Sequence, residues 1–254
     1  MYGPHVRDHT KIKLSQSLSA GSAGRLCYVS GGYKMSEIRV KSLTLGLVQT
    51  NCYMVYDEET KRAAIIDPGD CADQIIAYCE RLELKPEAVL LTHGHFDHMM
   101  AAEAVKEHFG LKIYACEKEV EVLADSTKNL MMDYYEENYT LAPDVTVKEG
   151  DKIEIAGFTW TVLETPGHTI GCCCYYIESE EVLFSGDTLF RDSYGRVDLP
   201  TGDAMAMFAS VKRLVKEIPE KTIVYPGHSG VTTIEYEKTH NPLATYDPLR
   251  KSRY

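Results

Sequence analysis

Residues 91–100 read LTHGHFDHMM, and this run constrains the protein more than any other stretch of its sequence. His93, His95, Asp97 and His98 lie within six positions, behind an apolar segment and ahead of a helix-like one. A single histidine is usually structural or solvated, whereas four ligand-type side chains crowded beside apolar residues are costly unless something compensates them. The run therefore predicts bound metal.

The spacing within this run divides its side chains into two pairs. His93 and His95 are two residues apart, so an extended backbone points both imidazoles to the same side, where they can chelate one ion. Asp97 and His98 lie at the turn into the next helix and can face a second ion. Imidazole nitrogen together with carboxylate oxygen suits Zn(II), Fe(II) or Mn(II).

Three more residues of the same type follow predicted strands. The segment TPGHT (165–169) places His168 behind a Pro-Gly turn, and YPGHS (225–229) places His228 in the same way. Between them, LFSGDTLF (183–190) puts Asp187 at another strand end. Because α/β proteins build their sites at the carboxyl ends of strands, these residues strengthen the prediction of a metal site.

Strands and helices alternate after Met35. Segments rich in Val, Ile, Leu and Tyr predict strands, and apolar residues at helical spacing predict helices. The predicted strands are 38–47, 51–56, 62–67, 87–92, 111–115, 145–147, 152–155, 159–164, 172–177, 182–185 and 222–226. The predicted helices are 71–84, 98–109, 117–125 and 203–217, whereas 126–143 has no clear period. We expect one α/β domain.

Net charge and cysteine content restrict the binding partners and the cellular compartment that we expect. The net charge of −11 disfavours nucleic acid and anionic membranes as partners, and no apolar run approaches the ~20 residues that span a bilayer. The eight cysteines are irregularly spaced, and residues 1–34 contain no apolar segment typical of a secretory signal. We therefore expect a reduced, cytoplasmic setting. Neighbouring strand residues face opposite ways, so Cys172, Cys173 and Cys174 are interpreted as small core residues.

Residues 1–34 differ from the rest of the chain. They are rich in Ser and Gly, have no clear period and carry five basic residues against one acidic residue. This composition predicts a disordered N-terminal extension. The folded domain is predicted to span residues 35–254.

With these residues in view, the sequence closely resembles the metallo-β-lactamase superfamily over roughly residues 36–240. The family pattern H-x-H-x-D-H matches the run that begins at His93. The later family histidine, the family aspartate and the final histidine match His168, Asp187 and His228. The resemblance implies an αββα metallo-β-lactamase sandwich, with the site at one edge of the paired sheets.

The resemblance also implies a set of metal ligands. The first metal would be held by His93, His95 and His168, and the second by Asp97, His98 and His228. Asp187 would bridge the two ions, and Asp97 and Asp187 would be the catalytic carboxylates. The expected cofactor is two divalent metal ions, zinc in the first place, with iron and manganese as alternatives.

Other positions have two readings each. Asp67 in IIDPGD matches another family motif and would fix a metal ligand through hydrogen bonds, or it simply forms a turn. Thr92 and Thr169 would donate hydrogen bonds to the site or serve as plain strand residues. Arg196 would bind a substrate carboxylate, or it forms a surface salt bridge with Asp198.

Details within the superfamily favour its glyoxalase II-like branch. True β-lactamases usually carry Cys at the position of Asp187, and flavodiiron proteins have an acidic residue at the position of His95. The segment GDTLFRDSYGRVDLPTGD (186–203) looks most like small glyoxalase II-related hydrolases.

The branch implies a function. We expect a dinuclear, hydroxyacylglutathione hydrolase-like thioesterase, in which a metal-bridged hydroxide attacks a small thioester or ester. The alternatives are a mononuclear Fe(II) persulfide dioxygenase, which shares the ligand set, and a non-catalytic metal-binding protein.

Overall fold

A computed structural model describes residues 6–8 and 37–246. Its first sheet contains β1 (Val6–Asp8), β2 (Ile38–Leu45), β3 (Thr50–Asp57), β4 (Arg62–Ile66), β5 (Lys85–Leu90), β6 (Lys112–Cys116) and β7 (Val145–Val147). These strands lie side by side in chain order. The pairs from β1 to β4 are antiparallel, whereas β4 to β7 are parallel. The carboxyl ends of β4, β5 and β6 therefore share one edge.

The second sheet contains β8 (Lys152–Ile155), β9 (Phe158–Glu164), β10 (Cys173–Ile177), β11 (Val182–Gly186), β12 (Ile223–Pro226) and β13 (Thr232–Thr233), again in chain order. Strand β10 is antiparallel to both of its neighbours, β9 and β11. Strand β12 is parallel to β11. It follows that β9, β11 and β12 run in one direction and end at the same edge.

Helices cover the outer face of each sheet. They are α1 (Ala72–Arg81), α2 (Phe96–Met99), α3 (Ala102–Phe109), α4 (Val120–Leu123), α5 (Met131–Tyr135), α6 (Ala204–Glu217), α7 (Ile234–His240) and α8 (Pro242–Thr245). Short 3₁₀ turns are formed by Glu117–Glu119 and Glu178–Glu180. Asp203 begins α6, because its carboxylate accepts hydrogen bonds from two backbone N–H groups of the first turn.

Three apolar layers hold these elements together. The layer between the sheets is filled by large buried side chains, among them Trp160, Tyr175 and Phe184. A second layer packs α1 and α3 on the first sheet, and a third packs α6 and α7 on the second sheet. This order of helix, sheet, sheet and helix confirms the predicted αββα sandwich.

The triple cysteine lies where its strand alternation places it. Cys173 faces the layer between the sheets, and Cys174 faces the layer under α6. All three cysteines are buried, and none of the cysteines within residues 37–246 forms a disulfide. The interpretation as small core residues is confirmed.

Helix bounds depart from the predictions at three places. The predicted helix 117–125 is instead the 3₁₀ turn Glu117–Glu119 followed by α4, which ends at Leu123. The predicted helix 98–109 is divided into α2 and α3, because the N–H of Ala101 donates to the carbonyl of Pro68 at 2.9 Å. The predicted helix 71–84 ends earlier, at Arg81. Two residues later, Glu83 adopts a left-handed backbone conformation with φ +55°. In the stretch without a clear period, α5 begins after Leu130, whose φ is +69°.

The ends of the chain are described only in part. Val6–Asp8 pair antiparallel with β2, and the other residues of the predicted disordered extension lie outside the described residues. The extension and the 35–254 domain bounds stay predictions. Within the described part of the chain, no helix is long and apolar enough to cross a membrane.

Candidate metal centre

All the predicted ligands lie at the edge where strands of both sheets end. The run from His93 to His98 begins three residues after β5. Asp187 directly follows β11, His228 comes two residues after β12, and His168 follows β9 through a tight turn. The two sheets thus each supply half of one cluster.

Hydrogen bonds between the sheets fix this edge. The hydroxyl of Tyr175 donates to the carbonyl of Leu91 at 3.0 Å, and the N–H of Cys173 donates to the carbonyl of Thr92 at 2.9 Å. At the other side of the cluster, the N–H of Asn51 donates to the carbonyl of Gly227 at 2.8 Å. The loops that carry the histidines are therefore held from both sheets.

The first group of candidate ligands consists of His93, His95 and His168. One side-chain nitrogen from each lies within 4.8 Å of the other two. His95 Nδ1 and His168 Nε2 are 2.8 Å apart. His168 Nδ1 donates to the carbonyl of Arg196 at 2.7 Å, which fixes the tautomer and leaves Nε2 with a free lone pair.

The second group consists of Asp97, His98 and His228, whose ligand atoms also lie within 4.8 Å of one another. Asp97 Oδ2 is 3.3 Å from His98 Nε2 and 3.2 Å from His228 Nε2. It also accepts a short hydrogen bond from the hydroxyl of Thr50 at the start of β3. Of the three side chains, His228 is the most exposed, at 24%.

Asp187 lies between the two groups. Its Oδ2 is 3.5 Å from His168 Nε2 and 3.5 Å from His228 Nε2, while its Oδ1 is 3.5 Å from His98 Nε2. A single carboxylate thus contacts histidines of both groups. This is the arrangement that a bridging ligand requires.

Several polar atoms in the cluster lack a hydrogen-bond partner although they are buried. These are His93 Nε2, His95 Nε2, His98 Nε2 and Asp187 Oδ1. An unpaired buried polar atom is costly, and its repetition within one cluster indicates a missing partner. Nitrogen and carboxylate donors in this number fit divalent metal ions, so the residues fit the group that the sequence predicts.

Electrostatics differ between the two groups. Burial, reinforced by the neighbouring imidazoles, lowers the pKa of His93 and of His95 well below the ordinary value for histidine. Both rings are therefore neutral at pH 7, as a metal ligand must be.

The second group has an excess of negative charge. Burial opposes protonation of His98, but the surrounding carboxylates outweigh it and raise the pKa of His98 well above its ordinary value. These carboxylates belong to Asp97, Asp187 and Asp67. Burial likewise opposes ionisation of Asp97, but His98 and His228 hold its pKa well below the usual range. A cation is therefore stabilised at this end of the cluster.

Asp67 holds two of the histidines in place. Its Oδ2 accepts from His98 Nδ1 at 2.9 Å and from the hydroxyl of Thr92 at 2.7 Å, and its Oδ1 accepts from the N–H of Thr92 at 2.8 Å. Because the Thr92 proton goes to Asp67, the Thr92 oxygen accepts from His93 Nδ1, 3.2 Å away. In both histidines Nδ1 carries the proton and Nε2 is left free for a metal.

We expect Asp67→Asn to weaken metal binding about 10- to 100-fold, because an amide cannot accept all three of these hydrogen bonds. Asn matches Asp in size and tolerates the left-handed backbone that Asp67 adopts at φ +49°. The effect will therefore appear in metal affinity, measured by competition with a chelator, more than in thermal unfolding. Unchanged affinity would show that Asp67 serves only the turn.

Arg196 forms the surface salt bridge with Asp198, which is one of the two roles that the sequence predicts for it. Its guanidinium donates to both carboxylate oxygens of Asp198, at 3.0 and 2.9 Å, and both side chains are exposed. Its backbone carbonyl orients His168. Contact between Arg196 and a substrate stays a prediction.

Two residues that contact the candidate ligands or their loops were not predicted from the sequence. Thr50 donates to Asp97, and Glu119 contacts the loops that carry three of the candidate ligands. Glu119 lies three residues after β6, whose carboxyl terminus shares the edge with β5. This position after a strand end was the only feature of the sequence that could have indicated its contacts with the cluster.

The sequence profile of the metallo-beta-lactamase superfamily matches residues 45–228 of the chain. The match covers more than half of the sequence and includes all seven residues of the cluster. The chain belongs to the metallo-beta-lactamase superfamily.

Other members of the superfamily resemble this chain over most of their length. Hydroxyacylglutathione hydrolase GloC of Haemophilus influenzae is 34% identical over 208 residues, which cover 81% of this chain and 98% of GloC. The crystal structure of BLEG-1 B3 metallo-beta-lactamase has 41% identity and a TM-score of 0.77, covering 82% of this chain and 100% of that one. The crystal structure of TTHA1623 in a di-iron-bound form has 36% identity and a TM-score of 0.70, covering 79% of this chain and 98% of that one.

Proposed function

We propose that this member of the superfamily is a dinuclear metal-dependent thioesterase of the glyoxalase II type, which hydrolyses a small acyl thioester or ester. The observation that carries the proposal is the position of Asp187, whose two oxygens face histidines of both ligand groups. Similarity to GloC, a hydroxyacylglutathione hydrolase by name, supports this substrate class.

In this proposal the cluster would hold two divalent ions, zinc in the first place. His93, His95 and His168 would hold one ion, and Asp97, His98 and His228 the other, with Asp187 shared between them. Bound ions of this kind bring the pKa of water from ~15.7 to near 7 and polarise a carbonyl oxygen, so no Ser or Cys nucleophile is required.

The chain itself orients and screens this chemistry. Asp67 and Thr92 keep the imidazole protons on the outer nitrogens, so that the inner nitrogens face the centre. The protein buries His93 and His98 completely, whereas His228 is partly exposed, so a substrate would enter from the side of His228. Exclusion of water from the opposite side strengthens every electrostatic contact at the reacting group.

Apolar side chains near the cluster fit a small acyl group. Tyr134 packs on Phe96 with ring centroids 4.5 Å apart and is still 44% exposed. Ile170, two residues after His168, is also 44% exposed. Arg196 is largely neutralised by Asp198, which disfavours recognition of a strongly anionic substrate by the arginine alone.

The proposal is tested by metal analysis combined with a thioester panel that includes S-lactoylglutathione. We expect about two metal ions per chain and hydrolysis of at least one thioester with a kcat/KM on the order of 10⁴ M⁻¹s⁻¹ or higher. His95→Ala is the matched inactive variant and should lose more than about 100-fold of this activity together with metal. Equal turnover by both proteins would refute the ligand assignment.

Two other substrates separate the alternatives. Oxygen uptake with glutathione persulfide would identify the dioxygenase, and the di-iron form of the similar TTHA1623 makes iron the metal to load for that assay. Hydrolysis of a chromogenic cephalosporin tests the activity named for the similar BLEG-1 protein. Two bound metals without turnover of any of these substrates would favour a non-catalytic metal-binding protein.

A further inference from the structure

Glu119 is fully buried beside the cluster, although no role follows for it from the ligand set. It ends the 3₁₀ turn Glu117–Glu119 and precedes α4. Its Oε1 accepts from the N–H of Gly94 at 2.7 Å. Its Oε2 accepts from the hydroxyl of Thr169 at 2.9 Å and from the N–H of Gly171 at 2.8 Å. One carboxyl group therefore joins two loops of different sheets.

These loops carry all three candidate ligands of the first group. Gly94 stands between His93 and His95, and Thr169 directly follows His168. A shift of either loop against Glu119 would change the distance between His95 Nδ1 and His168 Nε2, now 2.8 Å. The Glu119 side chain is thus one of the contacts that set the separation of the two loops.

The backbone around Glu119 leaves little room for adjustment. A Cβ at Gly171 would lie 2.2 Å from the N atom of Glu119, and a Cβ at Gly94 would lie 3.0 Å from the side chain of Leu123. Both loops therefore pack directly on the segment Glu119–Leu123. Glycine at these positions permits that approach.

Within the described part of the chain, no cationic side chain pairs with the Glu119 carboxylate. Its hydrogen bonds come from backbone N–H groups and one hydroxyl. Burial raises the pKa of Glu119 to about 7, while the hydrogen bonds from Gly94, Thr169 and Gly171 favour the ionised form. Even with three hydrogen bonds, a buried carboxyl group without a cationic partner is costly to keep. Its position between the two loops, with hydrogen bonds to both, indicates a function beyond packing.

We propose that Glu119 is a positioning residue, which holds the His93–His95 loop and the His168 loop at the separation that the first metal requires. The inference rests on the proposed function only in assuming that the cluster binds metal, and it does not depend on which substrate is hydrolysed.

Glu119→Gln is the sharpest test. The amide matches the carboxylate in shape, but it can accept at one position only and presents N–H groups to a donor at the other. We expect the variant to bind Co²⁺ at the first group about 10- to 100-fold more weakly, as measured by chelator competition and by the visible absorption of the bound ion. Glu121→Gln, on the exposed side of α4, is the matched control and should bind like the wild type.

Thr169 supplies a second test that does not remove the buried carboxyl group. Thr169→Val keeps the shape but deletes one of the three donors, whereas Thr169→Ser keeps the hydroxyl. We expect weaker Co²⁺ binding in the valine variant and recovery in the serine variant. Even if Glu119→Gln fails to fold, this pair decides the question.

The outcomes separate this inference from the proposed function. If the wild type binds metal but hydrolyses no thioester, the affinities of the variants still decide the role of Glu119. Wild-type affinity in both Glu119→Gln and Thr169→Val would overturn the inference. An equal loss in Glu121→Gln would also overturn it, since the effect would then not depend on the buried contacts.

Discussion

Asp187→Ala will leave the chain with fewer than two metal ions and will reduce hydrolysis more than about 1,000-fold. The physical reason is the place of the carboxylate between the two ligand groups, 3.5 Å from histidines of each. Without a shared anion, two nearby cations repel each other with nothing to offset the repulsion. Metal analysis of the purified variant, followed by the thioester assay with added zinc, measures both effects.

Asp73→Ala is the control for this variant. Asp73 is an exposed aspartate in the first turn of α1, so its removal changes the net charge equally without touching the cluster. We expect full metal content and full activity in this control. If Asp187→Ala kept two ions per chain, Asp187 would not be the bridge, and its position between the two ligand groups would no longer support the proposed function.

The sequence was sufficient to predict which side chains come together, because they are concentrated at strand ends. Spacing of two residues placed His93 and His95 on one side, and the turn after them placed His98 beside a different set of partners. The Pro-Gly turns before His168 and His228 mark strand ends that topology then brings to one edge. Local chemistry and the rule for strand ends were enough to predict this clustering. The assignment of each residue to a metal came from the family resemblance and stays a prediction.

The contacts that orient the ligands were not predictable in the same way. Thr50 reaches Asp97 across 47 positions, and Glu119 reaches Thr169 across 50. Neither residue type is unusual in its local segment, so no local pattern distinguishes them. Their roles arise only when β3 and β6 are placed beside the loops of the cluster.

The division of the predicted helix 98–109 shows the same limit. Helical spacing continues through Met100 and Ala101, but the Ala101 N–H bonds to the carbonyl of Pro68. That contact joins the helix start to the loop after β4, which also carries Asp67. Tertiary hydrogen bonding outweighed local helix propensity at this point.

Gly227→Ala is the second change with a large expected effect, because a methyl group has no space at this position. A Cβ on Gly227 would lie 2.2 Å from Asp187 Oδ1 and 2.7 Å from His98 Cε1. The backbone cannot move aside easily. Its N–H donates to the carbonyl of Gly186 at 2.8 Å, and its carbonyl accepts from Asn51 at 2.8 Å. The two candidate ligands must therefore move instead.

We expect Gly227→Ala to lower turnover and metal affinity by about 100-fold or more, since displacement of reacting groups by about 1 Å has costs of that order. Gly230→Ala is the control in the same loop, where an added Cβ meets nothing within 4 Å. Chelator competition and the thioester assay on both variants separate the two positions. Equal behaviour would mean that the cluster tolerates displacement of Asp187, which a bridging ligand does not. The loss predicted for Gly227→Ala therefore tests the bridge by displacing the carboxylate without removing it.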